Sequence, residues 1–208
     1  MTSAVQAESG YDQTAVRGIV RWSAQLGVLQ AALVLVFSLA TRFLSGTAEL
    51  AVQGVIVLVG LLATSLLPGT WTRARTIEGI AGAAGIGLGA TVMFLILDVA
   101  LLQPLGTYTN RWLEIGGGSN WWYHPVWWMA GTALAWFGAF ALANLTARRG
   151  SSEPVRVAIM ALVLALALGA VANVIGFPLA RWSLGTFAVA WLPALALTVL
   201  ITGVGRRP

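Results

Sequence analysis

The chain has 208 residues, of which 58% are hydrophobic and only 9% are charged. Soluble domains have about 25% charged residues, so this chain has too few charged side chains to cover the surface of a soluble particle. The mean hydropathy of +0.83 agrees with this reading. The composition predicts an integral membrane protein and excludes an ordinary soluble domain.

The residue types that are missing exclude much chemistry. The chain has no Cys and one His, and all 12 basic residues are Arg. Without Cys there is no disulfide, thiolate nucleophile or iron–sulfur ligand. Without Lys there is no Schiff base and no phosphate-binding Walker lysine. The net charge of +5 comes from arginines at membrane boundaries, so we do not interpret it as a nucleic-acid surface.

Six apolar stretches have the length of about 20 residues that a membrane-spanning helix needs. They are separated by Gly, Pro and Arg, including Pro68-Gly69 after the second stretch. We therefore expect an all-α bundle of six transmembrane helices in one domain, residues 1–208. Residues 14–25 either form the inner collar of the first span or a separate interfacial helix. The predicted spans are 22–44, 50–68, 77–102, 126–147, 155–177 and 184–204.

The arginines are distributed unevenly between the two ends of the predicted spans. Nine fall on one side and three on the other, and all of the net charge lies on the nine-arginine side. Arginine-rich loops stay in the cytoplasm, so we expect both termini there. We expect the protein to lie in the cell membrane, specifically the plasma (inner) membrane of a bacterium.

The third span is unusually rich in glycine over its inner half. Small residues three or four apart allow helix backbones to approach closely in lipid. We expect Gly82, Gly85 and Gly89 to pack at the centre of the chain's own bundle or against a partner subunit. Asn173 in the fifth span is predicted to make an interhelical hydrogen bond.

The long outer loop, residues 103–125, and the start of the fourth span concentrate aromatic side chains. Six of the ten Trp fall on the outer side of the membrane. A membrane-interface belt explains part of this excess, and a partner-docking surface or a small-ligand cradle are the alternatives. The candidate binding residues of this stretch are Trp121, Trp122, Tyr123, His124, Trp127 and Trp128.

Each outer connection holds one Arg followed directly by an aromatic residue. These pairs begin at Arg42, Arg111 and Arg181. The pattern is typical of headgroup anchors, with the guanidinium on phosphate and the ring at the interface. The alternative is a composite anion or ligand site formed by the three arginines.

Asp98 is the only carboxylate within the core of a predicted span, and it lies near the outer boundary. It is predicted to pair with an outer Arg as a structural clamp, and proton or cation binding is the alternative. His124 is predicted to cap a helix at the interface. A less favoured role is axial ligation of a porphyrin or chlorin; otherwise no cofactor or metal is expected.

These features favour a non-catalytic, multi-span subunit or accessory protein of a larger membrane assembly. It would dock through the Trp-rich outer loop and the Gly-rich third helix, with lipids and other membrane subunits as partners. The alternative is a small-solute transporter, or its substrate-binding subunit, with an outward-facing pocket. A membrane enzyme is disfavoured because its acid–base groups would be Asp98, Glu114 and His124 alone.

Overall fold

The computed structural model describes residues 15–108 and 123–204, and only the backbone at 123–125 and 127. Within these ranges the regular structure is helical, and six helices are long and apolar enough to cross a membrane. The protein is a multi-pass membrane protein. Its helices are α1 Val16–Phe43, α2 Gly46–Trp71, α3 Ile77–Leu97, α4 Tyr123–Arg149, α5 Pro154–Val174 and α6 Leu184–Gly203, and a π-helix, Asp98–Leu102, continues α3.

The six predicted spans are confirmed, with differences of up to six residues at their ends, of which two are informative. α1 runs without interruption from Val16, so the separate interfacial helix is wrong and the collar reading holds. α2 does not break at Pro68-Gly69 but continues to Trp71. Pro68 is buried, and a Cβ on Gly69 would lie 2.8 Å from Cα of Ala139 in α4. Tertiary packing against α4 therefore carries the helix past its proline, as is common in membrane-spanning helices.

The central helix of the bundle is α4. It packs against α2, α3, α5 and α6, whereas α3 lies between α1 and α4. The prediction that the Gly-rich third span occupies the centre is therefore wrong in position, although α3 is a close-packing helix. The middle of α4 is lined by small, fully buried residues such as Ala135 and Ala139, and alanine permits close approach without the helix penalty of glycine.

Helix backbones touch at several glycines. A Cβ on Gly87 of α3 would lie 2.5 Å from the Gly131 carbonyl oxygen of α4, and one on Gly138 would lie 1.8 Å from the Ser65 carbonyl oxygen of α2. Real Cβ atoms do not approach this closely, so these positions admit only glycine without a shift of the helices. Such contacts replace the hydrophobic driving force that is missing between helices in lipid.

Buried polar side chains link further pairs of helices by hydrogen bonds. The indole Nε1 of Trp191 donates to the Ser65 hydroxyl across 3.1 Å, joining α6 to α2. Asn144 of α4 donates to the Val199 carbonyl and to the Thr202 hydroxyl of α6 at 3.2 and 3.3 Å. The interior is thus fixed by close backbone contacts and by a few satisfied polar groups.

Candidate functional site

The outer end of α3, meaning the end opposite the arginine-rich ends of the helices, departs from regular geometry. The π-helix Asp98–Leu102 begins there, and the backbone N–H of Gln103 donates to the backbone carbonyl of Asp98 across 2.9 Å. A π-helical turn widens the backbone by one residue and is frequent at functional sites. It places the Asp98 side chain fully inside the protein, with none of its surface exposed.

Asp98 receives hydrogen bonds from the segment that follows it. The Gln103 side-chain amide donates to one carboxylate oxygen at 2.7 Å, and the Tyr108 hydroxyl donates to the other. A buried carboxyl group is costly unless it is hydrogen-bonded, so these donors and the carboxyl group stabilise each other. Asp98 consequently holds residues 103–108 against the end of the bundle.

α1 holds the same segment from its other side. The Arg42 guanidinium donates to the carbonyls of Gly106 and Thr107, and the Ser38 hydroxyl donates to the Thr107 carbonyl. Gly106 has a φ of +63°, which glycine adopts without strain, and this turn presents the two carbonyls to α1. We call Ser38, Arg42, Asp98, Gln103, Thr107 and Tyr108 the outer cluster.

The Thr107 hydroxyl of the outer cluster is buried and has no hydrogen-bond partner in the described part of the chain, which ends one residue later, at Tyr108, on this side.

The predicted clamp of Asp98 with an outer arginine stays a prediction. Gln103 and Tyr108 are two donors to Asp98, and Arg42 binds carbonyls in the same segment. Arg181 lies in the α5–α6 connection, where its backbone N–H donates to the Thr186 hydroxyl. The composite site of the three arginines stays a prediction. Arg111 lies outside the described residues.

The aromatic candidates lie around the start of α4. Trp128 is 47% exposed, in keeping with a surface position. Tyr123, His124 and Trp127 lie in the first turns of α4, and the structure describes their backbone alone. Trp121 and Trp122 lie outside the described residues. The docking surface and the axial ligation by His124 therefore stay predictions.

The predicted helix-packing residues divide into two groups. Gly82 is buried, and a Cβ on Gly89 would lie 2.4 Å from the Ser23 hydroxyl oxygen of α1. A Cβ on Gly85 would meet nothing closer than 3.9 Å, so Gly85 does not mediate a close approach. Asn173 donates to the Gly169 carbonyl of its own helix at 2.7 Å; the predicted interhelical bond is wrong because the amide reaches back one turn.

Sequence reasoning missed part of this end of the protein. Glu49 and Gln53 of α2 are both buried, and the Gln53 amide donates to the Glu49 carboxylate at 3.0 Å. Their spacing of four residues on one helix face was the available signal. Ser38, Thr107 and Tyr108 gave none, because a single hydroxyl in an apolar sequence is common. Among the described residues no group of three His, Cys, Asp or Glu is placed to hold a metal ion.

In comparisons with protein-family models, with curated proteins and with solved structures, no match to this chain was found.

Proposed function

We propose that the protein is a non-catalytic, multi-span membrane subunit that docks to other membrane proteins through its Trp-rich outer loop. The observation that carries the proposal is the outer cluster. Asp98, Ser38 and Arg42 use buried or charged donors and acceptors to fix residues 106–108. These residues come directly before residues 109–122, so the cluster fixes the point of the bundle from which that stretch continues.

The buried carboxyl group of Asp98 carries a desolvation cost, and its hydrogen bonds to Gln103 and Tyr108 offset that cost. Together with the bonds from α1, they fix the backbone directly before residues 109–122. Large aromatic side chains dominate the energetics of protein interfaces, and Trp121 and Trp122 lie in this segment.

The third helix has a smaller role in the proposal. Its glycines at 87 and 89 approach α4 and α1 of the same chain, so they are not available to a partner. The exposed face of α3 carries Leu88, Val92 and Ile96 instead. Docking through the glycines of α3 is therefore not part of the proposed function.

The transporter alternative has less support. It needs a pocket that opens at the outer end, and the contacts of the outer cluster do not by themselves support one.

Native mass spectrometry after gentle extraction of the tagged protein tests the proposal. We expect a partner subunit in fixed stoichiometry, and we expect Trp121→Ala/Trp122→Ala to release it. The matched control is Trp182→Ala, which removes a 71% exposed Trp from another outer connection. Recovery of the chain alone in every mild detergent would contradict the proposal, as would equal release by the control.

A further inference from the structure

The connection between α4 and α5 forms an open groove at the arginine-rich end of the bundle. Its volume is about 690 Å³. It is lined by three polar and four apolar residues, which we call the polar rim and the apolar floor, and none of them belongs to the outer cluster. The lining residues are Ser152, Glu153, Pro154, Val155, Arg156, Ile159 and Met160.

The polar rim has an excess of positive charge. One carboxylate, that of Glu153, lies 3.6 Å from the guanidinium of Arg149 and 3.6 Å from that of Arg156. Both guanidinium-bearing side chains are 46% exposed, and Arg148 beside them is exposed as well. The connection thus carries three arginines against one acid.

The two ion pairs leave these arginines able to bind a further anion. Exposed pairs at this distance contribute little stability. A guanidinium has five N–H donors, and Arg149 and Arg156 share the single carboxylate of Glu153. A phosphate group that reaches the rim would meet two cations and only one competing carboxylate.

The apolar floor continues down the outside of α5. Val155, Ile159 and Val163 follow each other at one-turn intervals and are 71%, 56% and 58% exposed. α5 lies at the edge of the bundle, where its main neighbour is α6. A hydrocarbon chain lying along this stripe would begin next to Arg156 and run toward the middle of the membrane.

We propose that this groove binds an anionic glycerophospholipid. Arg149 and Arg156 hold its phosphate, and an acyl chain lies along Val155 and Ile159. The excess of two positive charges at the connection selects a lipid with a net negative headgroup over a zwitterionic one. Basic residues at the cytoplasmic ends of membrane helices attract anionic lipids.

Titration of the full-length protein with single lipids, followed by native mass spectrometry, tests the site. The probes are dioleoyl phosphatidylglycerol and dioleoyl phosphatidylcholine, each added to the protein in a neutral detergent. We expect phosphatidylglycerol to be retained at least about fivefold more tightly, the effect of roughly one basic residue at a membrane surface. Arg149→Gln/Arg156→Gln is expected to abolish this preference.

A variant of opposite sign separates the site from general surface charge. Glu153→Gln removes the competing carboxylate, so it is expected to tighten phosphatidylglycerol binding by up to about fivefold. The matched control is Arg17→Gln/Arg75→Gln, which removes two exposed arginines from the same face outside the groove. It is expected to keep the lipid preference.

Three results would overturn the proposal. The first is equal retention of the two lipids by the unmodified protein. The second is an equal loss in the control and in Arg149→Gln/Arg156→Gln. The third is displacement of phosphatidylglycerol by millimolar glycerol 3-phosphate, because that result would assign the groove to a soluble phosphate rather than to a lipid.

Discussion

The inner half of α3 and its outer end hold their neighbours in opposite ways. The inner half removes side chains, so that Gly87 and Gly89 bring the backbone against α4 and α1. The outer end adds polar groups, and a fully buried Asp98 binds the segment that follows it. The first kind of contact is sensitive to size and indifferent to hydrogen bonding. The second is sensitive to hydrogen bonding and nearly indifferent to size.

The largest effect is expected at the glycine contact. Gly87→Leu places a side chain where a Cβ alone would lie 2.5 Å from a backbone oxygen of α4. Because backbone cannot yield as a flexible side chain does, we expect a loss of at least about 3 kcal/mol of unfolding free energy. Equilibrium unfolding in mixed micelles, followed by circular dichroism, measures it.

Gly85→Leu is the matched control for this substitution. It lies two residues earlier in the same helix, and its Cβ would meet nothing closer than 3.9 Å. We expect its unfolding free energy to stay within about 1 kcal/mol of that of the unmodified protein. Similar losses at both positions would show that the space around each glycine does not determine which substitutions the inner half of α3 tolerates.

The outer end is expected to respond to chemistry instead. Asp98→Ala leaves the Gln103 amide and the Tyr108 hydroxyl without their acceptor, and we expect a loss of about 2 kcal/mol. Asp98→Asn has almost the same size and keeps one acceptor oxygen, so about half of that loss is expected. A loss with Asp98→Ala and none with Asp98→Asn would contradict this account, because it would indicate that Asp98 acts through its size alone. The same unfolding assay compares the two.

A smaller effect is expected at the hydrogen bond between α6 and α2. Trp191→Phe keeps an aromatic ring in the core and removes the indole N–H that donates to Ser65. Hydrogen bonds between membrane helices contribute about 0.6 kcal/mol on average, so we expect a loss of about 1 kcal/mol including the change in ring volume. The double variant with Ser65→Ala should add little, because both changes break the same bond. Full additivity would contradict this contact.

The smallest effect is expected at Arg42. Its side chain is exposed and binds carbonyls of the segment that Asp98 also holds. Arg42→Gln is therefore expected to change the unfolding free energy by less than about 1 kcal/mol. It should still increase amide hydrogen exchange at Gly106 and Thr107. Unchanged exchange there would remove Arg42 from the outer cluster.

The sequence predicted the spans well because their signal is local. Twenty apolar residues bounded by Gly, Pro or Arg identify a helix without reference to its neighbours. Glycine also indicated that backbones approach each other. It did not indicate which helix approaches, so α3 was placed at the centre that α4 occupies. Pro68 predicted a helix end that the structure does not show. Its local signal carried no information about the packing of α2 against α4, which allows the helix to continue.

The outer cluster could be predicted only in part. Asp98 stood out because a carboxylate in a span is rare. Its partners could not be inferred, because the π-helix changes which residues face it and Gln103 and Tyr108 follow at irregular spacing. The expectation of an arginine partner rested on charge alone, and it stays a prediction because Arg111 lies outside the described residues.

Site-specific photocrosslinking in intact membranes tests the central claim most directly. A photoreactive residue replaces Trp121 in one variant and Trp182 in another, so that two outer connections are compared in the same membrane. The account predicts a discrete protein adduct of constant mass from position 121, weakened by Asp98→Ala, and no such adduct from position 182. Lipid adducts alone from position 121, or the same protein adduct from both positions, would contradict it.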